Sequence, residues 1–207
     1  MNSTLEVSSY IAGGKGVLET EVDVHFDIDK NAMKETEESR DMINTIWNKK
    51  IKSNPRLFNQ SKYRLGAESY NEETGKVTLH VGITDYKDHV GTNLSGHVEQ
   101  YLTEGEVRFA MMSQCIGVGG WVVTTDNKVI LVETAAWKGE GACRIDRPGG
   151  HAEPEESFKN LSIVEKSYRN ISNKLVVQEL FESIQKEIRD ELNISIALLH
   201  SILDIGY

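Results

Sequence analysis

Near one end of the chain, Glu187, Asp190 and Glu191 fall at spacings of three and four, which a helix places on one face. Like charges at that spacing repel by a few tenths of a kcal/mol per exposed pair, about 0.2–0.5. A divalent cation would remove the penalty. Earlier, Pro148-Gly149-Gly150-His151 forms a turn-like segment that leads into Glu153, Glu155 and Glu156. These donors are hard carboxylate oxygens with no accompanying Cys/His set, so they suit magnesium better than zinc. Magnesium held by one or two carboxylates keeps positions for phosphate oxygens and water, and it lowers the pKa of a coordinated water. A remaining carboxylate can take that water's proton. The same E-x-x-D-E spacing also suits a solvated acidic face.

The helix that must carry these acids is expected over 175–192. Val177, Phe181, Ile184, Ile188 and Leu192 make an apolar stripe there, and Glu179 lies on the acidic side two turns earlier. Val22 to Ile28 and Lys76 to Ile83 alternate as half-buried strands. Gly13-Gly14-Lys15-Gly16 lacks phosphate-loop spacing and reads as a hairpin turn. Asn31 is expected to cap a helix through Met33, Ile43, Ile46, Trp47 and Ile51 that ends near Pro55. Thr84 to Asp88 reads as the start of a loop, and Leu94 to Leu102 as a short helix. Val129-Ile130-Leu131-Val132 reads as a buried strand after an Asp126-Asn127 turn. A soft boundary near residue 110 separates an N-terminal α+β portion (1–110) from the acid-bearing portion (111–207).

The chain has 207 residues, 39% of them hydrophobic and 27% charged, which suits an ordinary folded protein. A net charge of −9 disfavours nucleic acid as a partner. Cys115 and Cys143 are the only cysteines and belong to no C-x-x-C motif. They therefore read as reduced thiols of an intracellular protein, cytoplasmic or nuclear. There is neither a secretory signal nor an apolar run of membrane-spanning length.

Gly150 and Glu156, followed by Lys186-Glu187-Ile188-Arg189-Asp190-Glu191-Leu192-Asn193-Ile194, resemble the two halves of a Nudix box. Lys186 stands for Arg, Asp190 for Glu and Asn193 for Gly. Glu156 and Glu187 lie 31 residues apart, where the family pattern has nine, so about 22 residues interrupt the box over roughly 157–177. Trp47-Asn48, Asn54 to Asn59, Lys62 to Leu65, Tyr86 to Asn93 and Asp146 to His151 add to the resemblance. They narrow it to the Nudix-type hydrolases of uridine diphosphate sugars, over about residue 5 to the end.

The resemblance implies an α+β fold, an α/β/α Nudix-type sandwich with a mixed sheet, preceded by a smaller N-terminal α+β portion. It implies magnesium-dependent hydrolysis of UDP-glucose or UDP-galactose to UMP and hexose 1-phosphate. Hydrolysis of another nucleoside diphosphate derivative, or nucleotide binding without catalysis, are the alternatives. Position by position, Glu187 and Glu191 match the magnesium ligands, with Glu156 and Asp190 as supporting acids. Phe58 and Tyr86 match nucleotide contacts, where an aromatic face can stack a base. Asp146, His151 and Glu153 match positions around the substrate. Read without the resemblance, Phe58 and Tyr86 are ordinary core or interface aromatics, and His151 a turn residue.

Glu133-Thr134-Ala135-Ala136 stands where the family often has an Arg, so Lys138, Arg144, Arg147 or metal must neutralise phosphate. Tyr207 comes only 16 residues after Glu191, so the resemblance also implies a sheet left incomplete by C-terminal truncation. Ala197 to Leu203 reads as the start of a further strand.

Overall fold

A computed structural model describes residues 4–5, 17–102, 109–136, 141, 143–158 and 167–199. Strand β1 (Thr4–Leu5) pairs antiparallel with β2 (Val17–Leu18). The Gly13-to-Gly16 segment lies outside the described residues.

The alternating runs form a mixed three-stranded sheet. Strand β3 (Val22–Phe26) precedes helix α1 (Glu37–Ser53), followed by β4 (Ser61–Asn71) and β5 (Lys76–Asp85). The order is β3-β5-β4, with β3 parallel to β5 and β4 antiparallel to it, and a register shift interrupts β4 between Leu65 and Ala67. Val22, Val24, Tyr63, Val77, Leu79 and Val81 are buried on one face.

Helix α1 starts later than Asn31 suggests. Thr36 is its cap, in a reciprocal pair with Ser39. The amide of Asn31 is already committed: it donates to the carbonyls of His25 and Val81, both at 3.1 Å, and so bridges β3 to β5. The backbone of Asn31 fills the space that a side chain at Gly82 would need.

Three further expectations change. Asp85 caps a helix, α2 (Tyr86–Gly91), rather than opening a loop, because its carboxylate accepts from the Asp88 N–H at 2.8 Å. Of Leu94 to Leu102, only Val98–Tyr101 is helical, as a single 3-10 turn. The apolar run 129–132 is divided between two ladders. Strand β6 (Gly117–Gly119) is followed by β7 (Val122–Val123), which pairs with β8 (Val129–Ile130). The turn between them contains Asn127, whose φ of 59° suits asparagine. Strand β9 (Val132–Glu133) pairs instead with β10 (Ile145–Asp146). Val129 and Leu131 are consequently exposed.

Strand β11 (Gly149–His151) pairs antiparallel with β6. Helix α3 (Asn173–Leu192) begins two residues before the expected start, capped by Ser172, and ends at Asn193 in the left-handed region. Its stripe is wider than the sequence suggests: Val176 and Leu180 join Phe181, Ile184 and Ile188 against the sheet face and Val118, Ala152 and Phe158. Ile43, Tyr101 and Met112 form a second cluster under α1. Ile196–Leu198 is a 3-10 turn and not the start of a strand, while 200–203 lies outside the described residues. The architecture is α+β, as expected. Among the described residues, no helix is long and apolar enough to cross a membrane.

Candidate active site

Acids near the C-terminus of a helix oppose its dipole, so α3 carries Glu187, Asp190 and Glu191 at an unfavourable end. Its apolar stripe fixes where they go. With Ile184 and Ile188 buried, the neighbouring face is turned toward β11. The Glu191 carboxylate accepts from the Gly149 N–H at 3.1 Å. The Glu187 carboxylate lies directly over Gly150, in the space a β-carbon would occupy. Glycine at 150 thus leaves room for this close approach, and turn geometry does not call for it.

Asp190 takes a different orientation. Its side chain is 62% exposed and accepts two hydrogen bonds from Arg189, at 2.7 and 2.9 Å. Those hydrogen bonds hold its carboxyl below the ordinary range. Glu156 accepts from Lys186 at 3.3 Å, and the same ammonium reaches Glu179 at 2.9 Å. Glu179 is only 4% exposed. Burial raises its carboxyl, against the opposing pull of Lys186. Burial disfavours the Lys186 ammonium, but the bonds to Glu179 and Glu156 outweigh it and raise its pKa.

Glu156, Glu179, Lys186, Glu187 and Asp190 line a groove of about 320 Å³ together with His151 and Glu153. Next to it lies a larger cavity of about 690 Å³, lined by Phe58, Tyr86, Asp146, His151, Glu153 and Glu191. Two long-range routes bring these residues together. The rings Trp47–Tyr86, Tyr86–His89 and His89–His151 follow one another with centroids 6.1, 6.4 and 5.5 Å apart, which links α1 to β11. From the other side, Glu153 is held by Lys62 at 2.9 Å and by Gln60. Phe58 is 70% exposed and is thus available to stack on a ligand.

Glu156, Glu187 and Asp190 line the groove, Phe58, Tyr86, Asp146 and Glu191 the larger cavity, and His151 and Glu153 both. Arg144 and Arg147 line the larger one, with Arg147 also over the Trp121 ring at 5.8 Å. Lys138 lies outside the described residues. The sequence reading did not identify Arg56, Gln60 and Lys62 as lining residues, although all three line the larger cavity. The partner that Gln60 and Lys62 share is distant in the chain, and no local pattern marks them. The opposite problem applies to Glu179, whose acidic spacing is visible but whose burial is not.

Among the described residues, no three His, Cys, Asp or Glu side chains already form a closed metal site. The donor chemistry nevertheless fits a hard cation. Two carboxylates meet at the Gly149–Gly150 backbone, and magnesium is commonly held by one or two carboxylates plus phosphate and water.

No family model matches the chain. It is similar to Nudix hydrolase 9 of Arabidopsis thaliana, 34% identical over 177 residues that cover 80% of this chain and 57% of that protein. It is also similar to two proteins named uridine diphosphate glucose pyrophosphatase NUDT22. The human one is 29% identical over 171 residues, 79% of this chain and 55% of that protein. The Bos taurus one is 31% identical over 172 residues, 79% of this chain and 58% of that protein. The chain thus spans little more than half the length of these curated relatives. Acids from both halves of the interrupted box thus line one groove, and over about four-fifths of its length the chain is similar to proteins named Nudix hydrolase and uridine diphosphate glucose pyrophosphatase.

Proposed function

We propose that the protein hydrolyses the diphosphate bond of a nucleotide sugar, UDP-glucose or UDP-galactose, in the presence of magnesium. The products are UMP and a hexose 1-phosphate. The observation that carries this reading is the approach of Glu187 and Glu191 to the Gly149–Gly150 strand, beside a cavity lined by Arg56, Arg144, Arg147 and two aromatic residues. The names of the relatives point the same way.

Glu187 and Glu191 would hold the cation, with Glu156 in support. A bound magnesium ion would withdraw charge from phosphorus and acidify a coordinated water. Arg56, Arg144 and Arg147 neutralise phosphate oxygens, and the exposed face of Phe58 receives the uracil. Asp190, ionised beside Arg189 at the groove wall, would accept a proton from the attacking water. Water adds hydroxide to one phosphorus, the bridging oxygen leaves with the other, and two monophosphates result.

The test is hydrolysis of UDP-glucose by the full chain, with magnesium and with chelator, followed by phosphorus NMR. Glu187→Gln should slow turnover at least about a hundredfold. Equal rates in the two proteins would remove the mechanism. Thermal stabilisation by UDP-glucose with no turnover in either protein would identify a nucleotide-binding protein instead.

A further inference from the structure

We infer that Gln60 and Lys62 form a clamp that presents Glu153 to the hydroxyl groups of the ligand, so that the cavity selects an uncharged vicinal diol beyond the diphosphate. The inference rests on the nucleotide-sugar reading above and deepens it.

Residues 60 and 62 alternate with 61 along an extended segment, so their side chains share one side. Lys62 donates to one oxygen of Glu153 at 2.9 Å, and Gln60 donates to the other. The backbone beneath them is fixed in turn. The Tyr86 N–H donates to the Gln60 carbonyl at 2.9 Å, and Ser61 opposite Asp85 begins the β4–β5 ladder. The adjacent residues tie down the same acidic segment, Ser61 through Glu155 and Tyr63 through Ser157 at 2.8 Å. Glu153 is thereby immobilised at both oxygens, although a third of its side chain remains exposed.

Its position decides what it can do. Glu153 lines both the carboxylate groove and the larger cavity, so it sits where they meet. A carboxylate accepts about four hydrogen bonds and donates none. The two protein donors occupy one site on each oxygen, leaving capacity on both. Neighbouring O–H groups of a sugar suit that pair of acceptors. A third phosphate, itself an acceptor, does not. Lys62, only 8% exposed although it lines the larger cavity, balances the charge of Glu153. Gln60 and Lys62 are thus positioning residues that act through Glu153.

The experiment measures calorimetric affinities of the full chain, with chelator present, for UDP-glucose and for the methyl ester of UDP, which keeps the nucleoside and the diphosphate and lacks the hexose with its hydroxyl groups. Wild type should favour UDP-glucose about tenfold. Lys62→Met and Gln60→Leu should each bring that ratio close to one, through UDP-glucose alone, and Lys62→Arg should restore part of it. Gln60→Leu provides the reading if Lys62→Met does not fold. A wild-type ratio of one overturns the inference. So does an unchanged ratio in the variants, or a parallel loss of both ligands. Because affinity is read without turnover, an inactive protein that keeps the ratio would refute the proposed reaction and leave the clamp standing. An active protein with an invariant ratio would do the reverse.

Discussion

Gly150→Ala offers a direct test of the geometry at the acidic face, because two opposing effects meet at one atom. The backbone at Gly150 is not in the left-handed region, so alanine can adopt it. Reduced freedom of the unfolded chain alone would then stabilise the protein by about 0.4–1 kcal/mol. The added carbon, however, enters the space held by the Glu187 carboxylate. That carboxylate is the far end of a flexible, half-exposed side chain, so it can turn aside at a cost of about 1 kcal/mol. The two effects nearly cancel, and Gly150→Ala should change stability by less than about 1 kcal/mol. A double-mutant cycle isolates the cause. In a Glu187→Ala background the obstacle is gone, so the same substitution should stabilise by about 0.4–1 kcal/mol, giving a coupling of about 1 kcal/mol. Urea denaturation midpoints of the four proteins measure it. An equal effect in both backgrounds would show that Glu187 does not lie over Gly150, and the site would lose its central contact.

Other substitutions test other parts of the fold. Lys186→Met strands Glu179 in the interior without its cation, and should cost about 3–5 kcal/mol in the same denaturation assay. Burial raises the Glu179 carboxyl in the folded protein, so the native state binds the extra proton. Its stabilising contribution is therefore present at low pH and is lost as pH rises from the ordinary carboxylate range through the folded pKa. Lys186→Met should widen that window, making the variant more stable near pH 5 than near pH 7.5 by a larger margin than wild type. Arg64 is 3% exposed and donates to the carbonyls of Asn31, Phe109, Ala110 and Met112. Lysine cannot reproduce that fork, and Arg64→Lys should destabilise by about 2 kcal/mol. Phe58→Ala should leave stability within about 0.5 kcal/mol while weakening UDP affinity about tenfold by calorimetry.

What the sequence revealed follows from the range over which each signal acts. The stripe on α3 and the alternation in β3 and β5 are local periodicities, and all three elements are legible to within a few residues. Asn31 is a good cap by type, yet its amide is taken by two strand carbonyls, one of them fifty residues away. The apolar run 129–132 reads as one buried strand because hydrophobicity says nothing of which neighbour each pair of residues will find. In the site, the acids of α3 could be located because helical spacing alone puts them on one face. Lys62 could not, since its value lies in a partner 91 residues distant.

The row of rings running from Trp47 to His151 has a practical side. The protein has three tryptophans. Trp47 meets the edge of Tyr86, a wall residue of the larger cavity, and Trp121 lies beneath Arg147, another wall residue. Two intrinsic fluorophores therefore stand one side chain away from any incoming molecule. Their emission should register occupancy of that space directly, without a dye or a label attached.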